Sequence, residues 1–186
     1  DVLVLSKAIG GSLPLAAVVH HDDLHVGDFG AGTFRGNQLA LAAGTATLAH
    51  VRRHRLAEHA STLGARMLAR LRGLAEEFPC VGDVRGRGLM IGIELVAADG
   101  EHGSTAPRPA APGTAAAVQR ECLRRGLIVD RAGPSASVVR LLPPLTITEE
   151  QATAVLDRLA DAVQAVAATP PPRTGHAPSP RPGAPR

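Results

Sequence analysis

The chain has no tryptophan and no tyrosine, only three phenylalanines, and a single lysine among its 186 residues. Its two cysteines, Cys80 and Cys122, sit in apolar surroundings with no Cys or His nearby at metal-ligand spacing. That arrangement argues against a disulfide framework or a zinc site and for buried thiols. No apolar run approaches the roughly 20 residues needed to cross a bilayer. The start lacks the basic, apolar and small-residue pattern of a secretory signal, so a cytoplasmic protein with no membrane partner is expected. There is no internal repeat.

What is present is sufficient for a core, since 45% of the residues are hydrophobic. The formal charge is +3. The positive residues from Arg52 to Arg72 interleave with Glu58, Glu76 and Glu77 on helical sequence. This is the pattern of a solvated helix face, and no nucleic-acid partner is expected from it. The 20 basic residues divide into 19 Arg and Lys7 alone. Arginine serves charge and solubility, but a guanidinium that never deprotonates is a poor amine nucleophile. The retained amine either marks chemistry or is chance in an Arg-biased composition.

Along the chain, residues 1–5 form an apolar, β-prone run that stops at Ser6-Lys7 and meets Gly10-Gly11. A second short strand is expected at 14–20, followed by a Gly-rich loop at 27–36. Asn37 is placed to cap a helical stretch over 38–78 that breaks near 53–56. Pro79 closes it. Residues 84–96 read as extended, with Gly86 and Gly88 as a bend before a strand at 89–95. A surface loop at 97–113 leads to a helix at 114–125 that stops at Gly126. Strands at 127–130 and 138–142 follow, ended by Pro143-Pro144. Thr148 and Gln151 form a capping-box pattern ahead of a helix carrying Val155, Leu156, Leu159 and Val163. Residues 169–186 contain seven prolines and almost no apolar bulk, which predicts a disordered tail.

Three short segments concentrate chemistry. At Ser6-Lys7-Ala8-Ile9-Gly10-Gly11, a lysine at a strand end beside glycines suits a Schiff base to a planar cofactor, or is an exposed lysine in a turn. At Gly32-Thr33-Phe34-Arg35-Gly36-Asn37, a hydroxyl and backbone N–H groups opening a helix suit a phosphate, or are a plain helix cap. At Val139-Arg140-Leu141, the guanidinium suits a substrate carboxylate, or is a strand-edge arginine paired with a surface acid.

These segments stand in order within DVLVLSKAIGGSLPLAAVV, GAGTFRGNQLALAAGTATL, VGDVRGRGLMIGIELV and VVRLLPPLTITEEQ, which together resemble the class III (fold type I) pyridoxal-phosphate-dependent aminotransferases over about residues 1–162. The GTFRGNQLA and LPLAAVV forms look most like the diaminobutyrate–2-oxoglutarate transaminase branch. The resemblance implies an α/β protein: the end of a fold type I large domain with its interface helix at 1–54, an α+β small C-terminal domain at 55–168, and the tail at 169–186. It implies a homodimer, pyridoxal 5'-phosphate as cofactor, and amino and keto acids as substrates. Lys7 would carry the cofactor and shuttle a proton. Gly32 and Thr33 would contact the phosphate across the dimer, and Arg140 would hold the carboxylate of glutamate or 2-oxoglutarate. Arg35 could tune substrate choice, and Arg87 would be structural.

The family carries a phosphate loop, a ring-stacking aromatic and an Asp for the pyridine nitrogen upstream of its lysine. Phe29, Phe34 and Phe78 match none of the stacking positions, and Asp1 lies on the lysine strand. The chain therefore reads as the C-terminal part of such an enzyme, with a sheet edge and an apolar face left uncovered. The alternative is a non-catalytic remnant that serves as a dimerisation or binding module.

Overall fold

A computed structural model describes residues 1–24, 32–98 and 108–169. Much of the expected Gly-rich loop, the middle of the expected surface loop and all but Thr169 of the expected tail lie outside them.

The chain begins as a hairpin. β1 (Val2–Ser6) pairs antiparallel with β2 (Ala16–His20), with Val2 opposite His20 and Ser6 opposite Ala16. The connection opens with a 3-10 turn, Lys7–Gly10, closed by the Gly11 N–H donating to the Ala8 carbonyl at 3.2 Å. This connection packs on α1 (Gln38–Arg53). A Cβ on Gly44 would lie 2.4 Å from Leu15 Cδ2 and 3.2 Å from the Ile9 carbonyl oxygen, so glycine permits the close approach. Asn37 caps α1 as expected, its side-chain oxygen accepting from the Ala40 N–H at 3.1 Å. Val2, Leu3, Val4, Val18 and Val19 are each more than half exposed. Because successive strand residues point to opposite faces, both faces of this ribbon are uncovered.

At Arg55 the backbone turns left-handed (φ 51°), which separates α1 from α2 (Leu56–Glu77) where a break was expected. Leu56, Ala60, Leu63, Met67, Leu71 and Leu74 form one buried stripe along α2, the i, i+3, i+4 pattern of a core-facing helix. β3 (Val81–Arg87) and β4 (Met90–Leu95) form a tight hairpin, and α3 (Pro112–Arg124), β5 (Asp130–Ala132), β6 (Val138–Leu141) and α4 (Glu149–Ala167) follow. The four strands make an antiparallel sheet in the order β3-β4-β6-β5. On β4, Ile91, Ile93 and Leu95 are fully buried, whereas Met90, Gly92 and Glu94 face the other way. One sheet face thus packs on α2 and α3, with α4 laid against those two helices, in a core that includes Met67, Leu71, Val118, Cys122, Leu159 and Val163. Among the described residues, no helix covers the other face.

Three expectations need correction. β3 begins at Val81, not 84; Gly86 stays in the ladder opposite Ile91, and only Gly88 (φ 56°) makes the turn. α3 starts at Pro112, because proline suits the first helical turn, where its missing N–H has no partner to lose. β5 lies three residues later than expected. Leu127 and Val129 are buried on the approach from α3, but pairing with β6 starts only at Asp130. The capping box at Thr148 and Gln151 is as expected, with reciprocal bonds of 3.0 and 3.1 Å.

Candidate active site

Lys7 is the first residue after β1, and the geometry there is unusual. Its φ of 58° places a non-glycine residue in the left-handed region, which costs on the order of 1–2 kcal/mol. The surrounding packing sustains this: Gly10 and Gly11 turn the chain, and the 3-10 turn is wedged against α1 at Gly44 and Thr47. The side chain is exposed and has no hydrogen-bond partner among the described residues. A free primary amine is thereby projected from a sterically defined backbone position.

Gly32 and Thr33 lie in the turn before α1, which is closed by the Arg35 N–H donating to the Gly32 carbonyl at 2.9 Å. A cavity of about 350 Å³ is lined by Thr33 and the residues that follow it as far as Leu39. Phe34 and Leu39 stand out into solvent beside it. The first turn of α1 holds no acidic residue, so no carboxylate competes for the positive end of the helix dipole.

Arg140 sits on β6, on the sheet face away from the helices, opposite Gly92 on β4 and Asp130 on β5. It forms an ion pair with Asp130 at 2.5 Å. Its Nε is buried without a hydrogen-bond partner. Both residues line a cavity of about 960 Å³ whose other walls include Leu127, Leu142, Pro143 and Ile147. Arg140 does pair with an acid, as one alternative expected, but β6 is an interior strand of the sheet and not its edge.

The hairpin, its 3-10 turn and α1 contact one another, and α1 contacts α2, but no described contact joins Lys7's turn to β6. The structure places Lys7 and the Gly32–Thr33 turn along one helix. It does not bring either to Arg140.

The family model for class-III aminotransferases matches residues 1–163, a span that contains all four of these residues. The chain belongs to the class-III aminotransferase family.

Among curated relatives, the chain is similar to the diaminobutyrate–2-oxoglutarate aminotransferase of Rhizobium meliloti (strain 1021), at 46% identity over 88% of this chain and 35% of that protein. Among solved structures it is similar to a phospholyase from Arthrobacter in complex with phosphoethanolamine (TM-score 0.80, 31% identity, covering 91% of this chain and 39% of the other). It is also similar to an amine transaminase from an uncultivated Pseudomonas species in the PLP-bound form (TM-score 0.78, 30% identity, 89% and 38%). The chain spans a little over a third of the length of these proteins.

The residues of this chain suit a phosphorylated aldehyde. The exposed amine of Lys7 can bond its carbonyl carbon, and a hydroxyl beside a helix N-terminus free of acid can receive its phosphate. The two thiols take no part. Cys80 and Cys122 are buried and free, and burial pushes both thiols up, Cys122 to about 11. Among the described residues no cluster could hold a metal ion, and no helix is long and apolar enough to cross a membrane. Asp130 was missed from the sequence, because the register that sets it opposite Arg140 leaves no local mark.

Proposed function

We propose that the complete protein is a homodimeric transaminase that uses pyridoxal phosphate to move an amino group between the terminal amine of L-2,4-diaminobutyrate and 2-oxoglutarate. The observation that carries this reading is the 46% identity to a diaminobutyrate aminotransferase, against 31% to the phospholyase, together with a family match that includes Lys7, Thr33 and Arg140. Residues 1–54 then belong to the cofactor-binding domain and residues 55–168 to the small domain.

When bound, the cofactor supplies an aldehyde that accepts the amino group and a ring that withdraws electrons from the reacting carbon. Lys7 would hold the cofactor through its Nζ, and as a free amine the same Nζ would take a proton from the substrate carbon and return it. Thr33 Oγ1 and the N–H groups that open α1 would hold the phosphate. Gly44, where the lysine turn touches α1, lies six residues beyond Gln38, about 9 Å along the helix. Thr33 would serve the partner's cofactor, as the family resemblance implies. Arg140 binds the substrate carboxylate once Asp130 releases it.

The test is spectroscopic. The complete protein should show the visible absorbance of a lysine-linked cofactor, and Lys7→Ala should abolish it. Persistence of that band in the variant rules out Lys7 as the anchor.

A further inference from the structure

We infer that Asp130 is a specificity-determining residue, which together with Arg140 reads an amino-acid head group carrying an ammonium and a carboxylate on one carbon. The inference rests on the transaminase reading and adds to it the group that recognises the amine that does not react.

Four observations carry it. Asp130 and Arg140 are the only charged side chains among the residues that line the 960 Å³ cavity. They meet directly across β5 and β6, where they occupy paired register positions. Asp130 is held in place: its Oδ1 accepts from the Arg131 N–H at 2.8 Å while Oδ2 faces Arg140. Its strand is tied to α3 by Gln119, which donates to the Val129 carbonyl (2.9 Å) and accepts from Arg131 Nε (3.0 Å). Finally, Arg140 gives only Nη2 to Asp130 and has other donors to offer.

The chemistry follows from charge. In a diamino acid one amine reacts, while the other remains an ammonium beside the carboxylate. In the cavity that ammonium is drawn to a counter-charge, the more so once the bound head group displaces water from around the pair. Asp130 is the acid the cavity wall provides. A head group with both charges can enter between the pair, its carboxylate on Arg140 and its ammonium on Asp130, so that every charge stays matched. A carboxylate without the neighbouring ammonium must displace Asp130 and then face its repulsion. The resting ion pair is partly solvated, 40% and 64% exposed, and such pairs open at small cost.

The experiment compares two donors that share a terminal amine and a carboxylate: L-2,4-diaminobutyrate, and 4-aminobutyrate, which lacks the second ammonium. In the cofactor-loaded complete protein, Asp130→Asn should lower the ratio of kcat/KM for the first donor over the second by about tenfold, the size of one charge-assisted hydrogen bond. The loss should appear in KM, and Asp130→Glu should restore part of it. An unchanged ratio overturns the proposal, as does an equal loss for both donors, which marks Asp130 as a structural strap. A second readout needs no turnover: calorimetric titration of the cofactor-free protein with L-2-aminobutyrate and with butyrate. Wild type should prefer the amino acid and Asp130→Asn should lose that preference; absence of a preference in wild type overturns the proposal. If wild type transfers neither terminal amine, the diaminobutyrate reading fails, and the calorimetry still decides whether Asp130 reads the head group.

Discussion

Arg140 is the residue whose role depends most on its surroundings. Alone, its side chain pairs with Asp130; with a substrate, the same guanidinium has the planar fork that a carboxylate needs. Arg140→Ala should raise the KM for 2-oxoglutarate by roughly 10- to 100-fold, the range expected for losing a charge-assisted pair. Cofactor absorbance should be nearly unchanged. Equal loss of both in a titration would assign Arg140 to structure instead. Cys122 makes a separate prediction from burial. Its thiol ionises near 11 in the folded chain against an ordinary 9.0, so the unfolded chain loses its proton first as pH rises. Its contribution to stability is thus complete below about pH 9 and is lost towards pH 11. Urea unfolding at pH 8 and pH 10.5 should show this decline, and Cys122→Ala should flatten it. Lys7 was visible in the sequence as the only amine of its kind, and Arg140 as a guanidinium between apolar neighbours. Asp130 was not, because a cross-strand partner ten residues away is set by register and not by any local pattern.

Helices were the more legible elements. Asn37, Thr148 with Gln151, and Gly126 are local signals that act through the backbone groups next to them, and each lies at the helix end it was expected to mark. Strand limits were less legible: β3 begins where Val81 can pair with Leu95, and β5 begins where Asp130 can pair with Arg140, both long-range conditions. The basic face of α2 shows the same limit. Arg66 and Arg70 pair with Glu149 and Asp157 on α4, not with the glutamates of their own helix. The contact between α2 and the β3–β4 turn is also non-local. A Cβ on Gly64 would lie 2.1 Å from the Gly88 carbonyl oxygen, a backbone atom that cannot move aside cheaply. Gly64→Ala should therefore destabilise the chain by about 1–3 kcal/mol, despite the better helix propensity of alanine. Chemical denaturation measures this, and an unchanged or higher midpoint would mean that the turn relaxes freely.

Over the whole molecule, stability should be unevenly distributed. The four-stranded sheet buries Ile91, Ile93, Leu95 and Val139 under α2 and α3, with α4 packed on those helices, while the β1–β2 ribbon reaches α1 only through its 3-10 turn and exposes its valines on both faces. A two-stranded ribbon is marginal in water, so its amides should open at little cost. Hydrogen exchange on this chain should show β4 and β6 protected by several orders of magnitude more than β1 and β2, and comparable protection would contradict this. The exposed apolar ribbon was anticipated once the strand pattern was set against the family, since strands apolar on both faces belong inside larger sheets. By itself, the sequence determined the family, the single lysine as a candidate anchor, the helices and their caps, because those depend on residue chemistry and on neighbours within one helical turn. Only the tertiary structure decided the sheet order, the pairing of Arg140 with Asp130, and the separation of Lys7 from Arg140. Those depend on which distant segments share a hydrogen-bond ladder or a packed face, and no local pattern specifies that choice.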